Sequence, residues 1–93
     1  MKASQISPRS GWAGILDGKK VAIFNDGTNL MVLENVCTHR GCQAAWNEAA
    51  GTWDCPCHGS RYQVDGSVLQ GPARRDLAQL SFQVDEAGEI RLG

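Results

Sequence analysis

All four cysteines and both histidines of this 93-residue chain fall in two short boxes, CTHRGC (37–42) and CPCHGS (55–60). A chain of this length makes one domain near the lower limit of comfortable independent stability. Cores that small commonly rely on a metal or a disulfide. Six thiol and imidazole groups confined to two boxes therefore restrict the fold more than any other feature.

Around the boxes, glycine turns punctuate the chain, with DG at 17–18, 26–27 and 65–66 and AG at 50–51 and 87–88. Between them lie β-branched or aromatic runs: KKVAIFN (19–25), NLMVLEN (29–35), SRYQV (60–64), SVLQ (67–70), LSFQV (80–84) and EIRL (89–92). Such runs flanked by glycine turns read as hairpins, because a type I′ turn needs positive φ at its central residues. YQVDGSVL is the clearest instance. No segment sustains a 3.6-residue apolar period for three turns, and QAAWNEAA (43–50) is the one helix-friendly stretch, too short to trust. The expectation is an all-β domain spanning 1–93, with no repeat or linker and with both boxes on loops at strand ends.

Composition excludes several functions. A net charge of −1 leaves no electrostatic footprint for nucleic acid. The longest apolar runs, VAIF (21–24) and LMVL (30–33), fall far short of the ~20 residues that span a bilayer. The polar opening MKASQISPRS has no charged-then-apolar export signal, so the expectation is a cytoplasmic chain without a membrane segment. Four cysteines in that setting point to metal or redox chemistry rather than to a secreted disulfide framework.

Spacing allows three ligand sets. Four thiolates, as C-x4-C (37, 42) and C-x-C (55, 57), suit a tetrahedral site poorly, because such sites draw pairs from C-x2-4-C knuckles. That set leaves both histidines idle, and the C-x4-C-x2-C run of plant-type ferredoxins is absent. Cys37, His39, Cys55 and His58 can instead form a Cys2His2 zinc site. The same four residues can also serve a two-iron cluster, with both thiolates on one iron and both imidazoles on the other. One thiolate and one imidazole from each box tilts the choice towards iron–sulfur but leaves both sets open.

The order C37-x-H39, fifteen residues, C55-x2-H58 resembles the Rieske [2Fe–2S] motif, and CTHRGC…CPCHGSRY…GPA is similar to the Rieske domains whose boxes carry a second cysteine. The resemblance covers roughly 15–92. It implies stacked antiparallel sheets, or a β-sandwich, with a small cluster-binding subdomain at about 36–72. It implies a [2Fe–2S] cluster held by Cys37, His39, Cys55 and His58, and a disulfide from Cys42 to Cys57. Closing about fifteen residues in this way is worth roughly 3 kcal/mol by chain entropy. In a reducing cytoplasm such a bond would persist only if buried and unstrained, which conflicts with the expected location. The resemblance further implies that Ser60 and Tyr62 donate O–H bonds to a bridging sulfide and a ligating thiolate. Those bonds would stabilise the reduced cluster and raise its potential. Histidine ligation acts in the same direction: two ferric ions, two sulfides, two thiolates and two neutral imidazoles sum to zero charge. Rieske centres accordingly lie at about −150 to +300 mV, against about −400 mV for plant-type ferredoxins.

GPARRDL (71–77) resembles the segment that covers the cluster in this family, with Pro72 stiffening it. Arg40 stands where many relatives carry leucine, and Arg74 and Arg75 follow a Gly-Pro-Ala that more commonly continues with proline. Trp46 and Trp53 bracket the AAG turn and are expected to pack beneath it. The function implied is one-electron transfer with no catalytic site of the chain's own. The run from 44 to 77 is most similar to Rieske domains at the C-terminus of FAD-dependent oxidoreductases, so the expected partner of this monomeric carrier is a flavoprotein. The alternative is the head domain of a quinol-oxidising cytochrome bc-type complex. A dioxygenase ferredoxin ranks third, and a zinc-binding interaction module is the competitor from another class.

Overall fold

The computed structural model describes residues 1–36, 42–57 and 59–93. Among the described residues nine strands form three antiparallel sheets. Strands β1 (Ser10–Leu16), β2 (Lys19–Asn25) and β3 (Leu30–Glu34) make the first sheet, in that order. Strands β4 (Ala45–Asn47), β5 (Thr52–Asp54), β6 (Arg61–Tyr62) and β7 (Val68–Gln70) make the second. The third pairs β8 (Phe82–Val84) with β9 (Ile90–Leu92). The only helical element among the described residues is a 3-10 turn at Ala3–Gln5. The all-β expectation holds.

Strand β2 explains why the run VAIF is apolar without alternation. Its four residues are buried, and successive side chains of a strand point to opposite faces. Val21 and Ile23 enter one core with Ile6, Leu16, Val32 and Ile90. Ala22 and Phe24 enter a second core with Leu33, Ala44, Trp53, Cys55, Tyr62, Ala73 and Leu77. The first sheet is thus the middle layer, covered on one side by the N-terminal turn with β8–β9 and on the other by the β4–β7 sheet. The segment leading to β8 runs along the free edge of β3, where Glu34 N–H donates to Ala78 O and Leu80 N–H to Val32 O, each at 2.8 Å.

Turn chemistry follows the sequence in one place and departs from it in another. At Asp17-Gly18 both residues have positive φ, 49° and 78°, and Leu16 pairs directly with Lys19. This is the two-residue type I′ geometry that matches strand twist. At Asp65-Gly66 only the glycine has positive φ. Gly66 N–H closes a turn on Gln63 O at 2.9 Å, and Gln63 N–H donates to Ser67 O at 2.8 Å. The YQVDGSVL hairpin therefore has a longer, bulged connection than the I′ turn expected. A Cβ on Gly66 would also sit 2.9 Å from Leu77 O, so the position has no room for a side chain.

Strands β1, β4 and β5 escaped the sequence reading. Strand β1 carries two glycines that weaken its strand signal, yet the packing requires one of them: a Cβ on Gly11 would lie 2.6 Å from the Trp46 ring and 2.8 Å from Trp53. The helix-friendly stretch 43–50 forms β4 and the start of its turn. There Gly51 N–H and Ala50 N–H bond to Asn47 O and Asn47 Oδ1 at 2.8 and 3.0 Å.

Aspartates fasten several turns. Backbone N–H groups of Asn29 and Thr28 bond Asp26 and hold its carboxyl below the usual range. The Ser67 hydroxyl and N–H do the same for Asp65, as does chiefly the Glu89 N–H for Asp85. A carboxylate whose folded pKa lies below its unfolded value stabilises the fold above the unfolded value, about 3.9, and stops doing so as pH falls through the folded one. The denaturant midpoint, followed by tryptophan fluorescence, is therefore expected to stay level from pH 7 to about 5 and to drop below about pH 4. A midpoint that rises on acidification would contradict these assignments.

Candidate metal centre

The second box begins where β5 ends. Trp53 of β5 is fully buried, and Cys55, two residues on, is 2% exposed and packs in the same core. Two main-chain bonds fold the chain back at once: Cys55 N–H donates to Ser60 O at 2.8 Å, and Gly59 N–H to Cys55 O at 3.1 Å. The turn brings Ser60 against Cys55 and delivers the chain into β6, where Tyr62 is fully buried opposite Trp53. The side chain of Gln70 in β7 donates to Gly59 O at 2.9 Å, bracing the turn from outside.

Beneath the box the β4–β7 sheet is held by aromatic and polar contacts. Trp46 and Trp53 meet edge-on with centroids 5.0 Å apart, and Phe24 lies 5.3 Å from Trp46. The tryptophans therefore seal the seam between two sheets, beyond the local turn they were expected to cover. Asp54 precedes Cys55; burial pushes its carboxyl up, but bonds from Asn47 and Thr52 and the charge of Arg61 outweigh this and hold it low. Arg61 stands 3.4 Å away, on the paired strand.

The two boxes are joined covalently. Cys42 and Cys57 form a disulfide with Cα atoms 6.5 Å apart, as the resemblance implies. The sulfurs of Cys42, Cys55 and Cys57 all lie within 4.8 Å of one another. Since two of them are bonded together, Cys55 supplies the thiol of this group that can take a metal. Cys57 is exposed and Cys42 half-buried, so the bond is not the buried one that a reducing environment would demand. Cys37, His39, Arg40 and His58, which the sequence reading singled out, lie outside the described residues.

Ser60 tests whether the site suits an iron–sulfur group. Its hydroxyl is fully buried. Its oxygen accepts the Ala73 N–H at 3.0 Å, which leaves its own proton to donate. Buried donors are normally satisfied, and a thiolate or sulfide of the cluster is an acceptor that suits this proton. The Ala73 contact also shows what GPARRDL does. The segment from the cis Gly71–Pro72 peptide passes over Ser60 and buries Ala73 and Leu77, while Arg74 and Arg75 are exposed. A residue that the sequence reading missed is Asn35, fully buried just before the first box. Its Nδ2 donates to Ala44 O and its Oδ1 accepts the Ala44 N–H, both at 2.9 Å.

Comparison with known proteins agrees with this geometry. A family model described as the Rieske [2Fe–2S] domain matches residues 1–81. YhfW of Bacillus subtilis, provisionally described as a Rieske 2Fe-2S iron–sulfur protein, is 45% identical over 78 residues, which cover 83% of this chain and 15% of that protein. The cytochrome b6-f complex iron–sulfur subunit of Chlorobaculum tepidum is 34% identical over 84 residues, covering 90% of this chain and 46% of the subunit. The chain thus spans less than half the length of these curated relatives. Among solved structures, the cyanobacterial plasma membrane Rieske protein PetC3 from Synechocystis PCC 6803 superposes with a TM-score of 0.81 at 30% identity, over 99% of this chain and 94% of that one. A motif-bearing turn with a buried thiol and a buried hydroxyl, a family match over most of the chain and a superposition of this extent lead to one conclusion: the chain belongs to the Rieske [2Fe–2S] domain family, with a [2Fe–2S] cluster as its cofactor.

Proposed function

We propose that the chain is a one-electron carrier in which Cys37 and Cys55 hold one iron, His39 and His58 hold the other, and a flavoprotein is the redox partner. When bound, the cluster supplies reversible one-electron chemistry in the potential range of Rieske centres. The observation that carries the reading is the buried Cys55 thiol, held by a main-chain bond to Ser60, whose buried hydroxyl accepts from Ala73 and keeps its proton to donate. The chain's own residues then have distinct tasks. The strand-end turn 55–60 excludes water from Cys55 and presents Ser60. Tyr62, rigid in the core, is the second hydroxyl for tuning. The Cys42–Cys57 bond holds the boxes together without binding metal.

Iron and acid-labile sulfide analysis tests the ligand reading: stoichiometric iron and sulfide are expected, and one zinc per chain without sulfide would end it. Ser60→Ala tests the tuning. A bond to a charged acceptor is worth about 1.5–3 kcal/mol, and a one-electron couple shifts about 59 mV for each tenfold change in equilibrium. The variant is therefore expected to keep its cluster and to lose on the order of 60–120 mV of midpoint potential. An unchanged potential with the cluster intact would remove Ser60 from this role.

Support for the flavoprotein partner comes from the similarity of the run 44–77 to C-terminal Rieske domains of FAD-dependent oxidoreductases. The YhfW match is compatible with it, since the matching part is a small fraction of a larger protein. A second reading, the head of a quinol-oxidising cytochrome bc-type complex, is favoured by the resemblance to the Chlorobaculum subunit. Purification from native cells separates the two. The first expects FAD in the same polypeptide or a co-purifying one, whereas b-type haem without flavin would support the second.

A further inference from the structure

We propose that Asn35 is a positioning residue of the cluster site, an internal clamp that sets where the first ligand box leaves and rejoins the fold. The inference rests on the ligand reading above. Asn35 has no solvent exposure, so each of its polar atoms needs a protein partner. Both carboxamide bonds go to one residue: Nδ2 donates to Ala44 O and Oδ1 accepts the Ala44 N–H, at 2.9 Å each. The amide therefore acts as one rung of a short antiparallel ladder between residues nine apart in sequence. Its own N–H donates to Lys20 O at 2.9 Å, which ties the clamp to β2, the strand shared by both cores. Ala44 is buried at the other end, next to β4.

The residues bracketed by this pair, 36–43, include Cys37, His39 and Cys42. The disulfide acts inside that bracket, at residue 42, and ties it to the second box. The two restraints are thus separate. The disulfide governs the distance between boxes, and Asn35 governs the anchorage of the first box to the first sheet. Without the amide, the Ala44 N–H and C=O are left buried and unbonded, and the ends of the bracket are free to part.

Asn25, half-buried, provides a control with a similar pair of bonds. Its side chain also donates to one main-chain oxygen, Ile6 O, and accepts one main-chain N–H, from Gly27, both at 2.8 Å. It does so at the far end of β2, against the other core. The experiment compares Asn35→Ala and Asn25→Ala as oxidised and reduced holoproteins, well below their denaturation midpoints. Three readouts are taken: the EPR g-values of the reduced cluster, the midpoint potential, and the rate of iron loss to a chelator. Asn35→Ala is expected to shift the g-values and the potential and to lose iron roughly tenfold faster. Asn25→Ala is expected to lower the denaturation midpoint while leaving all three readouts at wild-type values. Wild-type readouts in Asn35→Ala, or equal changes in both variants, would reduce Asn35 to an ordinary buried polar residue. If Asn35→Ala does not accumulate folded, Asn35→Ser, which keeps an acceptor but shortens the reach, is judged by the same criterion. A wild-type protein lacking iron and sulfide would fail the ligand reading itself. A wild type with an intact cluster and an unperturbed Asn35 variant fails the clamp alone.

Discussion

Serine in place of Cys55 is expected to abolish cluster assembly while the β-core remains folded. The thiolate is the ligand form of cysteine, and a serine hydroxyl neither deprotonates as readily nor matches its softness for iron. The fold survives because the bonds shaping this turn are main-chain ones, Cys55 N–H to Ser60 O and Gly59 N–H to Cys55 O. These are indifferent to the side chain. The measurements are iron and sulfide content, visible absorbance and EPR, with tryptophan fluorescence as the fold control. Wild-type iron, sulfide and EPR in Cys55→Ser would show that Cys55 is not a ligand. Cys42→Ser should behave in the opposite way, retaining iron while losing up to about 3 kcal/mol of stability.

Trp53→Ala is expected to be the most damaging substitution outside the ligands, at about 3–5 kcal/mol. Trp53 is fully buried, packs edge-on against Trp46 and closes over Gly11 of β1. Removing it opens a cavity at the seam between the first and second sheets, next to Cys55. For a small domain near the lower end of the usual range of about 5–15 kcal/mol, a loss of that size is most of the stability. Trp53→Phe separates the packing from the indole. Among the described residues the Nε1 proton of Trp53 is buried without a partner, a standing cost that phenylalanine removes. Its loss of volume is offset in part, and a penalty under about 1.5 kcal/mol is expected. Chemical denaturation checks both, and equal penalties for alanine and phenylalanine would contradict the packing argument.

What could be read from the sequence depended on how local the cause was. The apolar runs of β2 and β3, the short strands β8 and β9, and the type I′ turn at Asp17-Gly18 all follow from residues near one another. Strand β1 was illegible because Gly11 answers to Trp46 and Trp53, some 35 to 42 positions away, and not to its neighbours. At 43–50 the alanine-rich composition is helix-friendly but too short to trust as a helix, and Asn47 and Gly51 make a turn that pairs β4 with β5. The disulfide and the place of Ser60 were legible only through resemblance, since nothing in the spacing shows that Ala73 will cap the serine oxygen. Asn35 was invisible for a related reason. A polar residue at the end of an apolar strand reads as the start of a loop unless its partner is known, and the partner is a main-chain group.

The double-sided burial of β2 limits how this domain can be used as a part. The boxes and the sheet beneath them occupy a contiguous stretch of chain, which invites excision as a miniature electron carrier. A third of the buried core beneath them, however, is Ala22, Phe24 and Leu33, contributed by β2 and β3. A peptide covering the boxes alone would expose Trp53, Tyr62 and Cys55 to water. Grafting the centre onto another scaffold therefore means transplanting the middle layer with it, and the smallest transferable unit is close to the whole domain.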